Sequence, residues 1–113
     1  MPPWGAVAVR DRGYKIMMFK EYLRKDMRLV ILRTLSEMPR YTGNSSVLTN
    51  LLSEFGHAVS RDQVKTELSW LTEQGLVTIE SVGSVLVATL SERGQDVAEG
   101  RAVVEGVAKP RAT

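Results

Sequence analysis

The segment 59–76 contains a helix whose start and end are both indicated by the sequence. Ser60 and Gln63 have the spacing of a capping box, in which each side chain bonds the backbone N–H of the other residue. Gly75 stands where helices commonly end in a left-handed residue. Between these ends, apolar residues recur at the spacing of a buried helical stripe: Val64, Leu68 and Leu71. We therefore predict a helix over about 61–74.

The residues after this helix alternate between apolar and polar, as in two antiparallel strands. Gly83 and Ser84 fit a two-residue hairpin turn, which sets Val82 opposite Val85. In that register one face is apolar and is predicted to lie on the core: Val77, Ile79, Leu86, Ala88 and Leu90. The opposite face has three valines near the tip: Val82, Val85 and Val87.

Three other helices complete the pattern. The first is predicted over about 20–38, a turn follows at 40–45, and the second helix spans about 47–55. The last begins after the hairpin, where Ser91 fits an N-cap, and ends near Glu99. This order predicts an α+β winged helix-turn-helix domain with a three-helix core, a two-stranded β-hairpin wing and a C-terminal helix. A plain three-helix bundle would leave the alternation in the hairpin unexplained.

The ends of the chain lack the periodicity of its middle. Residues 1–18 show neither a helical nor a strand period and are predicted to be a flexible arm or an upstream extension. The domain is expected over 19–104, and residues 105–113 are expected to form a mobile tail.

Most of the excess positive charge is N-terminal, since residues 19–40 hold six bases and three acids. These bases more often form a solvated face than a site, but they can also attract nucleic acid.

Composition excludes several classes of function. The chain has no cysteine and one histidine, His57, which removes disulfides, thiolate chemistry and any zinc site with the usual number of ligands. His57 is expected in a turn, where packing or capping is the more common role. No catalytic motif occurs, so we expect neither an enzyme nor a cofactor. With no apolar run of membrane-spanning length and no secretory signal, the expected location is cytoplasmic.

Three segments together carry a resemblance to a known family: 20–33, 56–77 and 85–101. The second contains the pattern S-x-x-x-V-x-x-x-L-x-x-L-x-x-x-G-L-V, which many winged-helix families share, and the third contains the winged-helix ending L-S-E-R-G. The chain resembles small winged-helix proteins of Mu-like prophages that are described as ArsR-type regulators, over residues 19–110. The resemblance implies a phage or prophage origin and a regulatory role. Metal sensing does not carry over, because the metal-sensing members of that family use Cys or His ligands, and this chain has no cysteine and only one histidine.

The candidate DNA contacts lie on the solvent face of the 61–74 helix, which a winged-helix reader places in the major groove. They are Arg61, Gln63, Lys65, Thr66 and Ser69. Two acids on the same helix, Asp62 and Glu73, would repel phosphate. The face is therefore equally compatible with DNA contact and with an ordinary solvated surface.

The candidate protein contacts are Trp70, Val82, Val85 and Val87. Residues 78–89 contain Glu80 and no base, so a wing that grips phosphate is not expected. Scattered surface valines are common, and a tryptophan on a helix flank more often packs within its own chain.

Two hypotheses follow: a DNA-binding regulator acting as a homodimer, and an adaptor that binds protein through Trp70 and the wing. The dimer is expected to bury first-helix surface, because the apolar residues 30–32 are consecutive.

Overall fold

The computed structural model describes residues 4–111, and the side chains of residue 13 and of residues 15–111. A 3₁₀ turn (Pro39–Tyr41) follows the first helix. The helices and strands, in chain order, are α1 (Trp4–Glu37), β1 (Thr42–Asn44), α2 (Ser45–Glu54), α3 (Arg61–Glu73), β2 (Val77–Val82), β3 (Val85–Leu90) and α4 (Glu92–Ala98). The strands form one antiparallel sheet in the order β1-β3-β2. The predicted α+β winged-helix architecture is confirmed.

Helix α3 has the ends that the sequence indicates. Ser60 Oγ accepts a hydrogen bond from the backbone N–H of Gln63 at 3.1 Å, and Gly75 has the left-handed φ of 75°. Val64, Leu68 and Leu71 are fully buried. Because these three side chains share one stripe, α3 has a single inward face and leaves the opposite face to solvent.

The hairpin has the predicted register, with Val82 opposite Val85. On its inner face Val77, Ala88 and Leu90 are buried, and Ile79 and Leu86 pack partly buried against the core. The hairpin is also joined to α2, because the backbone N–H of Leu86 donates to the buried Ser45 Oγ at 3.1 Å. The wing is thus held both by apolar packing on the core and by this hydrogen bond to α2.

Residues 42–44, predicted as part of a turn, form strand β1 instead. Thr42 pairs with Thr89 and Asn44 with Val87, so β1 covers the edge of β3 that β2 leaves open. A strand of three residues is too short to show a period of two, so β1 leaves no strand pattern in the sequence. The prediction of a two-stranded sheet is therefore corrected to three strands among the described residues.

Helix α1 begins at Trp4 rather than near residue 20. The predicted arm over residues 1–18 is therefore helical from residue 4, and residues 1–3 lie outside the described residues. No proline interrupts residues 4–38. Residues 15–24 are all exposed, so this part of the helix does not pack on the core of its own chain. No helix among the described residues is both long and apolar enough to cross a membrane.

The segment predicted as a mobile tail packs against α1. Val104 and Val107 are buried, and the backbone N–H of Ala108 donates to the carbonyl of Lys25 at 3.1 Å. Arg28 Nη1 donates to the carbonyl of Gly106 at 3.0 Å. Apolar burial and two backbone contacts therefore place residues 104–108 against α1, although the sequence predicts a mobile tail from residue 105. Residues 112–113 lie outside the described residues.

Candidate nucleic-acid interface

The outer face of α3 is open over its whole length. Four of the five predicted DNA contacts are exposed, namely Arg61, Gln63, Thr66 and Ser69, and Lys65 is half-buried. Asp62 and Glu73 are exposed on the same helix. Residues 62, 66, 69 and 73 follow the spacing of one helical line opposite the buried stripe, so the centre of this face carries two carboxylates and two hydroxyls.

Lys65 lies on the side of α3 that faces the hairpin. Its Nζ donates to the carbonyl of Ser84, in the hairpin turn, at 2.8 Å. Arg61 lies one turn earlier on the same side, and none of the described residues forms an ion pair with it. The two bases of α3 therefore lie beside the wing rather than at the centre of the outer face.

Gln63 lies on the opposite side of α3, towards α1. It lines a groove between α1 and the α2–α3 turn, together with Lys20 and Arg24 of α1 and with His57. His57 is buried, and its Nε2 lies 2.8 Å from Asp26 Oδ2. The histidine thus packs the turn against α1. The groove brings two bases of α1 next to the N-terminal turn of α3.

Trp70 belongs to a cluster that joins α3 to α1. The guanidinium of Arg28 lies 3.8 Å from the centre of the Trp70 ring, and Arg28 Nε donates to Glu67 Oε1 at 2.7 Å. The side chains of Arg28 and Glu67 are only 11% and 5% exposed. Trp70 itself is half-buried. Sequence reasoning missed Glu67, although its position three residues after Val64 places it on the inward stripe.

The outer valines of the wing differ in exposure. Val82, at the tip, is 51% exposed, whereas Val85 and Val87 are half-buried, and Glu80 is exposed. Trp70 faces α1 and the C-terminal segment, so the predicted protein contacts do not form one surface with it. Within the described part of the chain, no group of three or more His, Cys, Asp or Glu residues is placed to hold a metal ion.

The middle of α1 carries apolar side chains that none of the described residues covers. Phe19 is 62% exposed, Ile16 is 56% exposed and Leu23 is 39% exposed. Their spacing of three and four residues continues to Met27, which is buried. The buried stripe of α1 therefore extends, in the same direction, onto an open surface. Of the three consecutive apolar residues from which buried first-helix surface was predicted, Ile31 and Leu32 are fully buried within the chain and Val30 is half-buried.

The fold and the open third helix define a winged-helix protein, and solved structures agree. Sco3205 from Streptomyces coelicolor, a MarR family transcriptional regulator in complex with DNA, is similar with a TM-score of 0.56 and 15% identity, over 88% of this chain and 67% of that chain. AbsC, a MarR family regulator from the same organism, has a TM-score of 0.55 and 20% identity, over 88% and 71%. A double mutant of Lactococcus lactis ZitR in apo form has a TM-score of 0.53 and 23% identity, over 85% and 68%. At these identities the likeness establishes the fold.

Relatives by sequence are closer. The chain is 50% identical over 94 residues to the uncharacterized protein gp26 of Escherichia phage Mu, which covers 83% of this chain and 97% of gp26. It is 49% identical over 78 residues to an uncharacterized protein of Haemophilus influenzae, over 68% of this chain and 76% of that protein. No protein-family model matches the chain. The chain belongs to the family of phage Mu gp26.

Proposed function

We propose that this chain is a DNA-binding transcriptional regulator of phage or prophage origin that acts in the cytoplasm. The observation that carries the proposal is the open outer face of α3 beside the wing. The N-terminal half of such a helix contacts base edges in the major groove. The DNA complex of the similar Sco3205 and the phage relative gp26 support this function. Its narrower form is an ArsR-type regulator without metal sensing, as the sequence resemblance suggests.

The positions of the basic residues favour phosphate contacts from α3 and α1 rather than from the wing. Residues 78–89 of the hairpin hold no Lys or Arg, so the wing adds no attraction to phosphate. Arg61 and Lys65 lie at the edge of the outer face of α3 that is next to the wing. Lys20 and Arg24 lie beside Gln63, at the opposite edge of that face. In the proposed complex Arg61 and Lys65 contact DNA directly, Thr66 and Ser69 face base edges, and α1 supplies further phosphate contacts.

The proposed regulator is a homodimer that forms through α1. The exposed stripe of Ile16, Phe19 and Leu23 is apolar and continuous with the core at Met27. A contiguous apolar surface of this kind marks a protein contact, and a two-fold dimer buries the same stripe of both copies. Two copies of α3 would then read a palindromic site whose half-sites lie one helical turn apart.

Titration of labelled duplexes, including phage and host promoter fragments, at several salt concentrations tests the proposal. We expect one fragment to be preferred over random duplex, with a salt slope that corresponds to roughly three to six phosphate contacts per dimer at about 0.9 per contact. Arg61→Ala with Lys65→Ala should lower affinity and flatten the slope. The matched control, Arg101→Ala with Lys109→Ala, removes the same charge from the C-terminal segment. Glu80→Ala should leave binding unchanged or slightly stronger. Failure of every fragment to exceed random duplex would contradict the proposal.

The second candidate function is an adaptor that binds protein through the wing. It is favoured by the exposure of Val82 and by the absence of bases from the hairpin. Trp70 contributes less to this candidate, because Arg28 lies over its ring. If the double alanine variant binds DNA as the parent does, and Val82→Asp abolishes a protein contact, the adaptor replaces the regulator.

A further inference from the structure

Asp62 is an exposed carboxylate at the N-terminal end of the outer face of α3. Lys65 is the nearest base that an intrahelical ion pair would use, but its Nζ donates to the carbonyl of Ser84. Thr66 Oγ1 donates to the backbone carbonyl of Asp62 and not to its carboxylate. None of the described residues bonds or pairs with the Asp62 carboxylate. Its negative charge is therefore fully presented to whatever α3 contacts.

An uncompensated carboxylate at this position weakens general attraction to DNA, because phosphates repel it. An ionised carboxylate is also a hydrogen-bond acceptor only, so it needs an N–H donor on the base edge that it meets. The major groove offers two such donors, cytosine N4 and adenine N6. Adenine places its N7 acceptor beside N6, whereas cytosine presents no acceptor of its own there. Cytosine is therefore the base that fits.

We infer that Asp62 is a specificity-determining residue that selects a cytosine in each half-site of the DNA, an inference that rests on the proposed function. Its position one turn before Thr66, on the line through Ser69, places it where recognition helices contact bases. Repulsion between Asp62 and phosphate lowers the affinity for every DNA sequence. The hydrogen bond to cytosine N4 restores affinity only for sites that have a cytosine at the position Asp62 contacts. Selectivity thus arises from a penalty on the wrong sites as well as a contact at the right one.

A purely structural role for Asp62 makes a different prediction. An acid in the first turn of a helix stabilises it through the helix dipole, without any contact to DNA. Glu92 is the matched control, because it is an exposed acid in the first turn of α4. Asp62→Asn and Glu92→Gln each remove one negative charge from a first turn, and only the first lies on α3.

The experiment is selection of bound sequences from a randomised duplex library by the full chain and by both variants, with thermal unfolding of each. The parent should enrich a cytosine at one position of the half-site. Asp62→Asn should shift that position to adenine, since an asparagine amide matches adenine N6 and N7, and should lose about fivefold or more of the preference for cytosine. Its affinity for random duplex should rise. Glu92→Gln should select the parent's sequence.

The outcomes separate this inference from the function on which it rests. If the parent selects a sequence and Asp62→Asn selects the same one, the inference is overturned and the regulator stands. A lower melting temperature of Asp62→Asn with an unchanged selected sequence would assign Asp62 to the helix dipole alone. If the parent selects no sequence and binds no duplex above background, the proposed function fails first and the inference fails with it.

Discussion

The guanidinium of Arg28 stacks 3.8 Å from the centre of the Trp70 ring, and this contact joins helix α1 to helix α3. Arg28 Nε also donates to the buried carboxylate of Glu67 at 2.7 Å, and its Nη1 donates to the carbonyl of Gly106 at 3.0 Å. One side chain therefore links α1, α3 and the C-terminal segment. In a regulator that dimerises through α1 and reads DNA through α3, this junction would fix the angle between the two helices.

The buried pair of Arg28 and Glu67 should be strongly coupled in stability. Glu67→Leu removes the carboxylate and leaves the guanidinium buried without its charge partner, which typically costs about 3–5 kcal/mol. Arg28→Met with Glu67→Leu replaces both charges by apolar groups and should cost less than the sum of the single changes. Urea unfolding of Glu67→Leu, of Arg28→Met and of the double variant measures these free energies of unfolding. Costs that add to within about 0.5 kcal/mol would show that the two residues act independently.

Gly106 should resist substitution more than another glycine with a similar backbone. It has a φ of 99°, and a Cβ there would lie 2.8 Å from two ring atoms of Trp70. Gly56 has a φ of 89° but would place its Cβ in open space. Both changes to alanine incur backbone strain of order 1 kcal/mol, so the difference isolates the collision with the ring. Gly106→Ala should be the less stable variant by about 1 kcal/mol or more in thermal unfolding, and equal melting temperatures would contradict this.

Leu68 is the centre of the inward face of α3 and is fully buried. Leu68→Ala should lower the free energy of unfolding by about 2–5 kcal/mol, the usual range for loss of a buried leucine side chain. The control is Ser69→Ala, the next residue, which is exposed and should change stability by less than about 0.5 kcal/mol. Chemical denaturation measures both values. A cost for Leu68→Ala below about 1 kcal/mol would mean that α3 is not packed through this face.

The sequence predicts the elements whose signals are local. Ser60, Gly75 and the turn at Gly83 and Ser84 are indicated by capping and turn chemistry, and the structure has α3 and the hairpin where these signals place them. Strand β1 was missed because it is defined by its partner β3 and not by its own three residues. A long-range pairing of this kind leaves no period in the sequence.

The same distinction applies to the site. That α3 presents residues 61, 66 and 69 to solvent follows from helical spacing alone. The sequence did not reveal that Lys65 reaches the hairpin turn, that Gln63 faces the groove beside α1, or that Arg28 covers Trp70. Each of these contacts joins residues on different elements, so it depends on how the elements pack. The extension of α1 to Trp4 was missed because residues 1–18 show no helical period in the sequence.

The exposed stripe of α1 should hold two copies of the chain together. Phe19 lies in this stripe and is 62% exposed, and Phe55, at the end of α2, is 63% exposed. Phe19→Glu places a charge from each copy at the proposed interface, where desolvation and mutual repulsion oppose association. Phe55→Glu makes the same change at a residue of equal exposure outside the stripe.

Multi-angle light scattering across a concentration series should give a dimer mass for the parent and for Phe55→Glu, and a monomer mass for Phe19→Glu. Because each half-site would then be bound separately, Phe19→Glu should also weaken binding to a palindromic duplex by roughly 100-fold or more, while circular dichroism shows an unchanged fold. A parent that remains monomeric at high concentration, or a Phe55→Glu variant that dissociates as Phe19→Glu does, would rule out this stripe as the dimer interface.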